Sequence, residues 1–111
     1  MKFEIFQSAK NQEYYFNLKA KNGQVILSSE GYKQKASAKN GIESVRKNAT
    51  DDNCYDIRQA KDGRSYFCLC STNKQEIGRS QMYKSRSGLK NGIESVKTNA
   101  PEAEVVDLTA K

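Results

Sequence analysis

Apolar and polar residues alternate along this chain with a period that switches from two to about 3.6 and back again. A period of two is typical of strands, and a period of 3.6 is typical of an amphipathic helix. The helical stripes follow the spacing i, i+4, i+7, i+11 in Ala38, Ile42, Val45 and Ala49 and again in Leu89, Ile93, Val96 and Ala100. We therefore predict two helices, over Gln34–Asn48 and Ser85–Asn99, each preceded by strands.

Three strands precede each predicted helix, and turn-forming residues separate them. The six strands are Phe3–Ala9, Tyr14–Ala20 and Gln24–Ser28, then Cys54–Ala60, Ser65–Ser71 and Gln75–Arg79. Gly23 and Gly63 suit tight turns, because glycine tolerates a positive φ. Lys74 takes the place of Gly23 in the second group, so that turn is expected to be less comfortable.

The two halves of the chain are copies of one unit. Residues 3–49 align with residues 54–100 at a constant offset of 51, with 20 identities in 47 positions and no gap. A unit of about 50 residues buries too little surface to be stable alone, so the copies are expected to share a core. We predict one domain, 1–111, made of these two repeats and an acidic tail, 101–111.

Strand alternation predicts which side chains lie beneath the helices. One parity is apolar and is joined by two isoleucines of the third strands: Phe6, Phe16, Leu18, Ile57, Phe67 and Leu69, with Ile26 and Ile77. The other parity forms an open sheet face: Tyr15, Asn17, Lys19, Val25, Leu27, Tyr66, Cys68 and Cys70. In the tail, Val105, Val106 and Leu108 are expected to pack on the body, and Thr109–Lys111 to be loose.

An identical box of residues lies in each predicted helix. Its members are Asn40, Gly41, Ile42, Ser44 and Val45, repeated as Asn91, Gly92, Ile93, Ser95 and Val96. A glycine within a helix costs about 1 kcal/mol relative to alanine. Its presence in both copies therefore predicts close packing of each helix against the sheet or against the other helix.

This box and the segments before it closely resemble the YegP-like family of small bacterial proteins, over residues 3–107. The upstream segments are Phe16-x-Leu18, Asn22-Gly23-Gln24-Val25-Ile26 and Ser29-Glu30-x-Tyr32. The resemblance implies an α+β fold in which tandem β-β-β-α repeats form a single antiparallel sheet of about six strands. It also implies pseudo-twofold symmetry and exchanged helices, each packed over the other copy's strands. The family has no established biochemical activity, so the resemblance implies no catalytic residue.

Composition excludes several classes of function. Histidine, the commonest general base and metal ligand, is absent. No glycine-rich phosphate loop, nucleophile elbow or clustered acid pair occurs, and Glu43 and Glu94 are interpreted as solvated carboxylates on the helix flanks. No apolar stretch approaches the ~20 residues of a membrane helix, and the N-terminus does not resemble a signal peptide. We expect a cytoplasmic protein that is not an enzyme, with no cofactor and no catalytic or metal-binding residue.

The cysteines Cys54, Cys68 and Cys70 are predicted to be reduced thiols. A three-residue hairpin loop would bring Cys54 opposite Cys70, and a pair of thiols in this position can oxidise or bind a soft metal. The first repeat has Phe3 and Lys19 at these positions, and three thiolates without histidine form an incomplete zinc site. A structural role for the cysteines is therefore favoured.

The net charge of +6 favours weak association with polyanions. On the open face, tyrosines can stack on bases or pack against a protein, and cations can bind phosphate. The predicted partner surface is Tyr15, Lys19, Arg58, Lys61 and Tyr66. We expect a monomeric, non-enzymatic binding or accessory protein, because the two repeats satisfy each other. Nucleic acid and another protein both stay open as the partner, as does a stress-related role without a tight ligand.

Overall fold

The computed structural model describes residues 1–109, and its fold is α+β: one seven-stranded sheet with two helices on one face. The strands are β1 (Lys2–Gln7), β2 (Tyr14–Lys19), β3 (Val25–Ser29), β4 (Tyr55–Gln59), β5 (Ser65–Cys70), β6 (Glu76–Ser80) and β7 (Glu104–Asp107), and the helices are α1 (Lys35–Asn48) and α2 (Arg86–Asn99). The order across the sheet is β4-β5-β6-β3-β2-β1-β7. Neighbours are antiparallel except β1 and β7, which are parallel, so the sheet is mixed.

The seventh strand corrects the expected sheet of six antiparallel strands. The acidic tail extends along the outer edge of β1, where Val105 lies beside Phe3 and Asp107 beside Ile5. Lys35 Nζ lies 3.0 Å from an Asp107 carboxylate oxygen. The hydrogen bond from the Thr109 hydroxyl, and after it the Lys35 ammonium, hold the pKa of Asp107 well below its usual range. The tail is therefore bonded to the sheet, although Val105 and Leu108 remain largely exposed.

The core fills the space between the helices and the sheet. Its largest fully buried side chains are Phe3, Ile5, Phe16, Leu18, Leu27, Ile42, Val45, Phe67, Leu69, Leu89 and Val96. Ile26 and Ile77 are buried in the same cluster, as the sequence predicts. The apolar stripe of α1 is buried along its whole length, and that of α2 is buried except at Ile93, which packs at the margin.

The first strand of the first repeat corrects the predicted faces. Phe6 lies on the open side, where it pairs with Tyr15, while Ile5 takes the place beneath the helices by pairing with Phe16. Ile57 does lie on the helix side, opposite Phe67, but 57% of it is exposed because it stands at the edge of the sheet. The reason is the hairpin between the strands. The turn that joins β1 to β2 is one residue longer than its counterpart, so β1 matches β4 at an offset of 52 rather than 51.

The third strand corrects a second prediction, because Leu27 belongs to the core rather than to the open face. The pairing of β2 with β3 shifts register between Leu18 and Lys19, so Leu18 pairs with Leu27 and Lys19 with Val25. The shift is a β-bulge, in which two residues of one strand oppose one of the other. It allows Ile26 and Leu27 to be buried in succession.

The helix ends and turns follow the sequence signals. The Ser85 hydroxyl accepts a hydrogen bond from Gly88 N at 3.0 Å, whereas Gln34 makes no side-chain cap. In the turns, Gly23 and Lys74 both adopt a positive φ, 84° and 68°. Lys74 therefore holds a backbone conformation that favours glycine, as predicted.

Each helix lies over the second strand of its own repeat, α1 over β2 and α2 over β5. Helix α1 also reaches β5 and β6 of the other repeat. The complete exchange of helices that the resemblance implies is therefore not found. No helix within residues 1–109 is long and apolar enough to cross a membrane.

Candidate functional site

The outer face is the side of the sheet that the helices leave uncovered, and it carries two aromatic positions. Tyr15 stacks on Phe6 with ring centroids 5.7 Å apart, and Asn11 Nδ2 donates a hydrogen bond to the Tyr15 hydroxyl at 2.9 Å. In the second repeat, the Arg79 guanidinium lies over the Tyr66 ring, 5.3 Å from its centroid. Both tyrosines are half-buried, so each ring is held in place by its neighbours.

Acidic residues pair with the cations of the outer face. Lys19 and Lys2 lie 2.8 and 3.3 Å from the Glu4 carboxylate, and these contacts, led by the one from Lys19, lower the pKa of Glu4. Arg58 lies 2.9 Å from Asp56 and 3.3 Å from Glu76. Lys2, Lys19, Arg58 and Arg79 are all the basic residues of the seven strands, and each has a carboxylate within 4.0 Å.

The predicted partner surface is consequently dispersed and ion-paired. Tyr15 and Lys19 lie on one half of the outer face, and Arg58 and Tyr66 lie on the other half. Lys61 stands outside the strands, in the exposed turn that joins β4 to β5. Sequence reasoning missed Glu4, Asp56, Glu76 and Arg79, the residues that complete these pairs. Lys2 and Glu4 are two residues apart on one strand, as are Asp56 and Arg58, and this spacing places both side chains on the same face. The pairs Lys19–Glu4 and Arg58–Glu76 join different strands, so they depend on strand order and register.

The repeat box has a structural environment in both helices. Gly41 and Gly92 are buried against the rings of Tyr32 and Tyr83. The other residues of the box are divided between the core and the surface: Ile42, Val45 and Val96 are buried, Ile93, Ser44 and Ser95 are half-buried, and Asn40 and Asn91 are exposed. The box thus joins helix to sheet and gathers no cluster of reactive groups.

Serine hydroxyls bond backbone groups where each repeat turns from strand to helix. The Ser29 hydroxyl accepts a hydrogen bond from Phe16 N at 2.9 Å and donates one to Glu30 O at 2.8 Å. Ser80 makes the same two bonds, with Phe67 N and Gln81 O, at the same distances.

A cleft of about 560 Å³ opens beside the start of β4 and the turn that joins β5 to β6. Cys54 and Cys70 line it together with Asp51, Asp56, Arg58 and Lys74. Cys54 is buried in the core, where its Sγ lies 3.7 Å from Asn48 Oδ1. Within residues 1–109, no group of three or more histidine, cysteine or acidic residues is arranged to hold a metal ion.

The thiols are held in their protonated form. Burial raises the pKa of Cys68 to about 11, with Glu76 adding to the effect. Burial also raises the pKa of Cys54 and of Cys70. Because the thiolate is the nucleophile and the metal ligand, all three side chains are poorly suited to either role at neutral pH.

We predict that iodoacetamide modifies the folded protein slowly and at Cys70 alone, because Cys54 and Cys68 are buried and Cys70 is half-buried. Intact-mass measurement at pH 8 is expected to give a single adduct, and the Cys70→Ser variant none. Unfolding in urea is expected to release all three sites. Rapid double labelling, or a Cys54–Cys70 disulfide on mild oxidation, would contradict the structural role.

Comparison with known proteins agrees with this architecture. The sequence model of a domain of unknown function (DUF1508) matches residues 9–56 and again residues 60–107, stretches that begin 60 − 9 = 51 residues apart. The chain is 54% identical to a UPF0339 protein of Bordetella pertussis over 101 residues, which cover 91% of each chain. It is 53% identical to a UPF0339 protein of Acinetobacter baylyi over 107 residues, which cover 96% of each.

Two solution NMR structures have the same fold. A UPF0339 protein of Shewanella oneidensis superposes with a TM-score of 0.90 at 44% identity, covering 96% of this chain and 90% of that one. The protein of unknown function yegP from E. coli superposes with a TM-score of 0.91 at 42% identity, covering 99% and 94%. The fold and the two sequence matches thus define a small protein with one mixed sheet that contains the DUF1508 sequence twice. The chain belongs to the UPF0339, or YegP-like, family, for which no specific function is established.

Proposed function

We propose that this protein is a non-enzymatic, monomeric binding protein of the cytoplasm, and that its outer face recognises a protein rather than a nucleic acid. The observation that carries the proposal is the pairing of every strand cation with a carboxylate. Nucleic-acid affinity depends on cations that are free to displace counterions from phosphates. An outer face whose strand cations are already paired with carboxylates is a poor match for such a ligand.

The aromatic and guanidinium groups of the outer face suit a protein partner. Tyrosine and arginine are enriched among the residues that dominate protein interfaces. Tyr66 beneath Arg79, and Tyr15 against Phe6, are already held by their neighbours, so little side-chain freedom is lost on binding.

Side-chain chemistry supports the absence of enzymatic activity. The protonated thiols are weak nucleophiles, and Glu43 and Glu94 are exposed carboxylates beside Arg46 and Lys97 on the same helix. Three unbridged cysteines also suit the reducing conditions of the cytoplasm.

We also infer that a pseudo-twofold axis passes between β3 and β6 and relates the two repeats. The Cα pairs there are Leu27 with Ser80, Ser28 with Arg79 and Ser29 with Gly78. When each residue in these pairs is replaced by the equivalent residue of the other repeat, 51 positions away, the same three pairs are obtained. A central junction of this kind closes each repeat on the other, which supports a monomer.

The proposal is tested by affinity capture from a bacterial extract on immobilised wild type and on the Tyr15→Ala/Tyr66→Ala variant. We expect wild type to retain a protein after nuclease treatment and the double variant to lose it. Lys90→Ala, a change at an exposed position of α2, is the control. Fluorescence titration with single-stranded oligonucleotides is expected to give only weak, salt-sensitive binding that is equal in both proteins. Tight binding at moderate salt that the double variant abolishes would reject the protein partner in favour of nucleic acid.

A further inference from the structure

The two ends of the sheet are unequal. At one end β7 covers β1, whereas at the other end β4 bonds to β5 alone within residues 1–109. β1 and β4 hold matching positions, since Ile5 pairs with Phe16, Ile57 pairs with Phe67, and the two phenylalanines are equivalent residues of the repeat. Ile5 is fully buried, but 57% of Ile57 is exposed. The chain therefore covers one edge and leaves the equivalent edge open.

The backbone of β4 presents unpaired groups at this edge. In an antiparallel pair, residues alternate between bonding the partner strand and pointing away from it. Ala60 N donates to Arg64 O at 2.8 Å, so residues 58 and 56 belong to the bonded set. The amide and carbonyl groups of Ile57 and Gln59 consequently point outward. β4 contains no proline and keeps an unbroken register with β5, so nothing in its backbone blocks a further strand.

The edge formed by β1, which β7 covers, confirms that the alternation correctly identifies the residues whose backbone groups point outward. Ser8 N donates to Glu13 O at 2.9 Å, which by the same alternation points Ile5 outward from β2. Ile5 O indeed accepts a hydrogen bond from Leu108 N, at 2.9 Å, on the far side. Ile57, the counterpart of Ile5, is therefore placed to bond an added strand through its backbone, as is Gln59.

β7 defines the kind of strand that such an edge accepts. It runs parallel to β1 with Val105 beside Phe3 and Asp107 beside Ile5. The Asp107 carboxylate meets Lys35, the first residue of α1, at 3.0 Å. The pattern is an apolar residue and, two positions later, a carboxylate that pairs with the start of the helix above.

The second repeat has a cation at the equivalent place. Arg86 lies 51 positions after Lys35 and is the first residue of α2, as Lys35 is the first residue of α1. It is exposed, and among residues 1–109 no carboxylate lies within 4.0 Å of it. The open edge thus combines outward backbone groups, an exposed isoleucine and an available guanidinium.

We propose that β4 binds an extended segment of a partner protein as an eighth strand, parallel to β4, with a carboxylate of that segment paired to Arg86. The main chain of the segment would supply affinity through hydrogen bonds to Ile57 and Gln59, and the carboxylate would fix direction and register. The occupant comes from another protein, because the tail of each copy is already bonded to its own β1. This site is separate from the outer face, and it stands whether or not that face has a partner.

The test is fluorescence anisotropy of a labelled, end-blocked peptide, EAEVVDLT, the sequence of residues 102–109, titrated with the full protein. We expect saturable binding, weakened at least about tenfold by Ile57→Pro, because proline removes the outward amide while leaving the bonds to β5 intact. Ile57→Val keeps that amide and most of the apolar side chain, so as the matched control it is expected to weaken binding much less than Ile57→Pro does. Thermal unfolding checks that each variant is folded.

A charge exchange tests the predicted carboxylate pair and does not depend on the proline variant. Arg86→Glu is expected to weaken EAEVVDLT about tenfold and to restore binding of EAEVVKLT, in which lysine replaces the aspartate. A peptide that merely displaced the tail from β1 would bind Ile57→Pro as tightly as wild type, and that result overturns the proposal. So does the absence of binding by wild type, or a concentration-dependent dimer in sedimentation that Ile57→Pro abolishes, since the occupant would then be a second copy.

Discussion

Replacing Gly41 with valine is expected to lower the free energy of unfolding by about 3 kcal/mol, because the added group has no room. A Cβ at this position would stand 2.9 Å from Phe16 Cε2 and 2.6 Å from the Tyr32 hydroxyl. The two rings are stacked with centroids 6.3 Å apart, and Phe16 is fully buried, so it cannot move aside without disturbing the core. Chemical denaturation followed by circular dichroism measures the loss.

Alanine separates packing from helix propensity. Gly41→Ala gains about 1 kcal/mol of propensity and loses about 2–3 kcal/mol to overpacking, so the net result is a loss. Gly88 in α2 is the matched control, since its Cβ would meet only Ser85 Oγ at 3.2 Å and Tyr83 at 3.4 Å. Gly88→Ala is expected to leave stability unchanged or to raise it by up to about 1 kcal/mol. Equal stabilisation by both changes would show that close packing is not the reason for Gly41.

The glycines illustrate what the sequence can predict. Their repetition, and their cost within a helix, indicate a close approach at Gly41 and Gly92. The surface that approaches cannot be inferred in the same way. It consists of a tyrosine from the turn before the helix and a phenylalanine from the second strand, such as Tyr83 and Phe67 beside Gly92. The rings that contact a helix depend on the position and angle at which the helix crosses the sheet. The apolar periodicity of the helix sequence does not contain that information.

The misplaced first strand had a signal in the sequence that the ungapped alignment hides. At an offset of 51, residues 3–8 have no identity with residues 54–59. At an offset of 52, Ile5 coincides with Ile57 and Gln7 with Gln59. Strong identity in the helices fixed the alignment, and one residue in the turn was enough to reverse the faces of a strand, because the side-chain period is two.

The tail strand and the ion pairs that join different strands were beyond the reach of the sequence for a different reason. β7 has four residues, and its partner β1 lies at the opposite end of the chain. Arg58 on β4 meets Glu76 on β6 across the intervening strand β5, and the pairing of β5 with β6 contains a register shift. Such contacts follow from strand order and bulges, and neither is encoded in local periodicity. The excess of basic residues alone therefore suggested a more cationic face than the fold creates.

Exchanging the side chains at the centre of the sheet is expected to recover stability that either single change loses. Gly78 and Leu27 are equivalent residues of the repeat, and a Cβ on Gly78 would lie 2.9 Å from Leu27 Cγ. The leucine of one repeat thus fills the room left by the glycine of the other. Leu27→Gly is expected to cost about 4 kcal/mol by opening a cavity, and Gly78→Leu about 3 kcal/mol by overpacking.

The double variant Leu27→Gly/Gly78→Leu places the leucine on the other side of the inferred axis, where it can occupy the vacated space. Its loss is expected to be below about 3 kcal/mol rather than the additive sum, a coupling that a double-mutant cycle measures directly. The control pairs Leu27→Gly with Gly88→Ala, which lies in α2 and is expected to add independently. Additive losses in the exchanged pair would contradict the twofold relation, because a leucine at position 78 would then not enter the space that Leu27 leaves. Substantial recovery would mean that positions 27 and 78 are equivalent in the duplicated chain. The core at the axis would then need one large and one small residue at these positions, in either order.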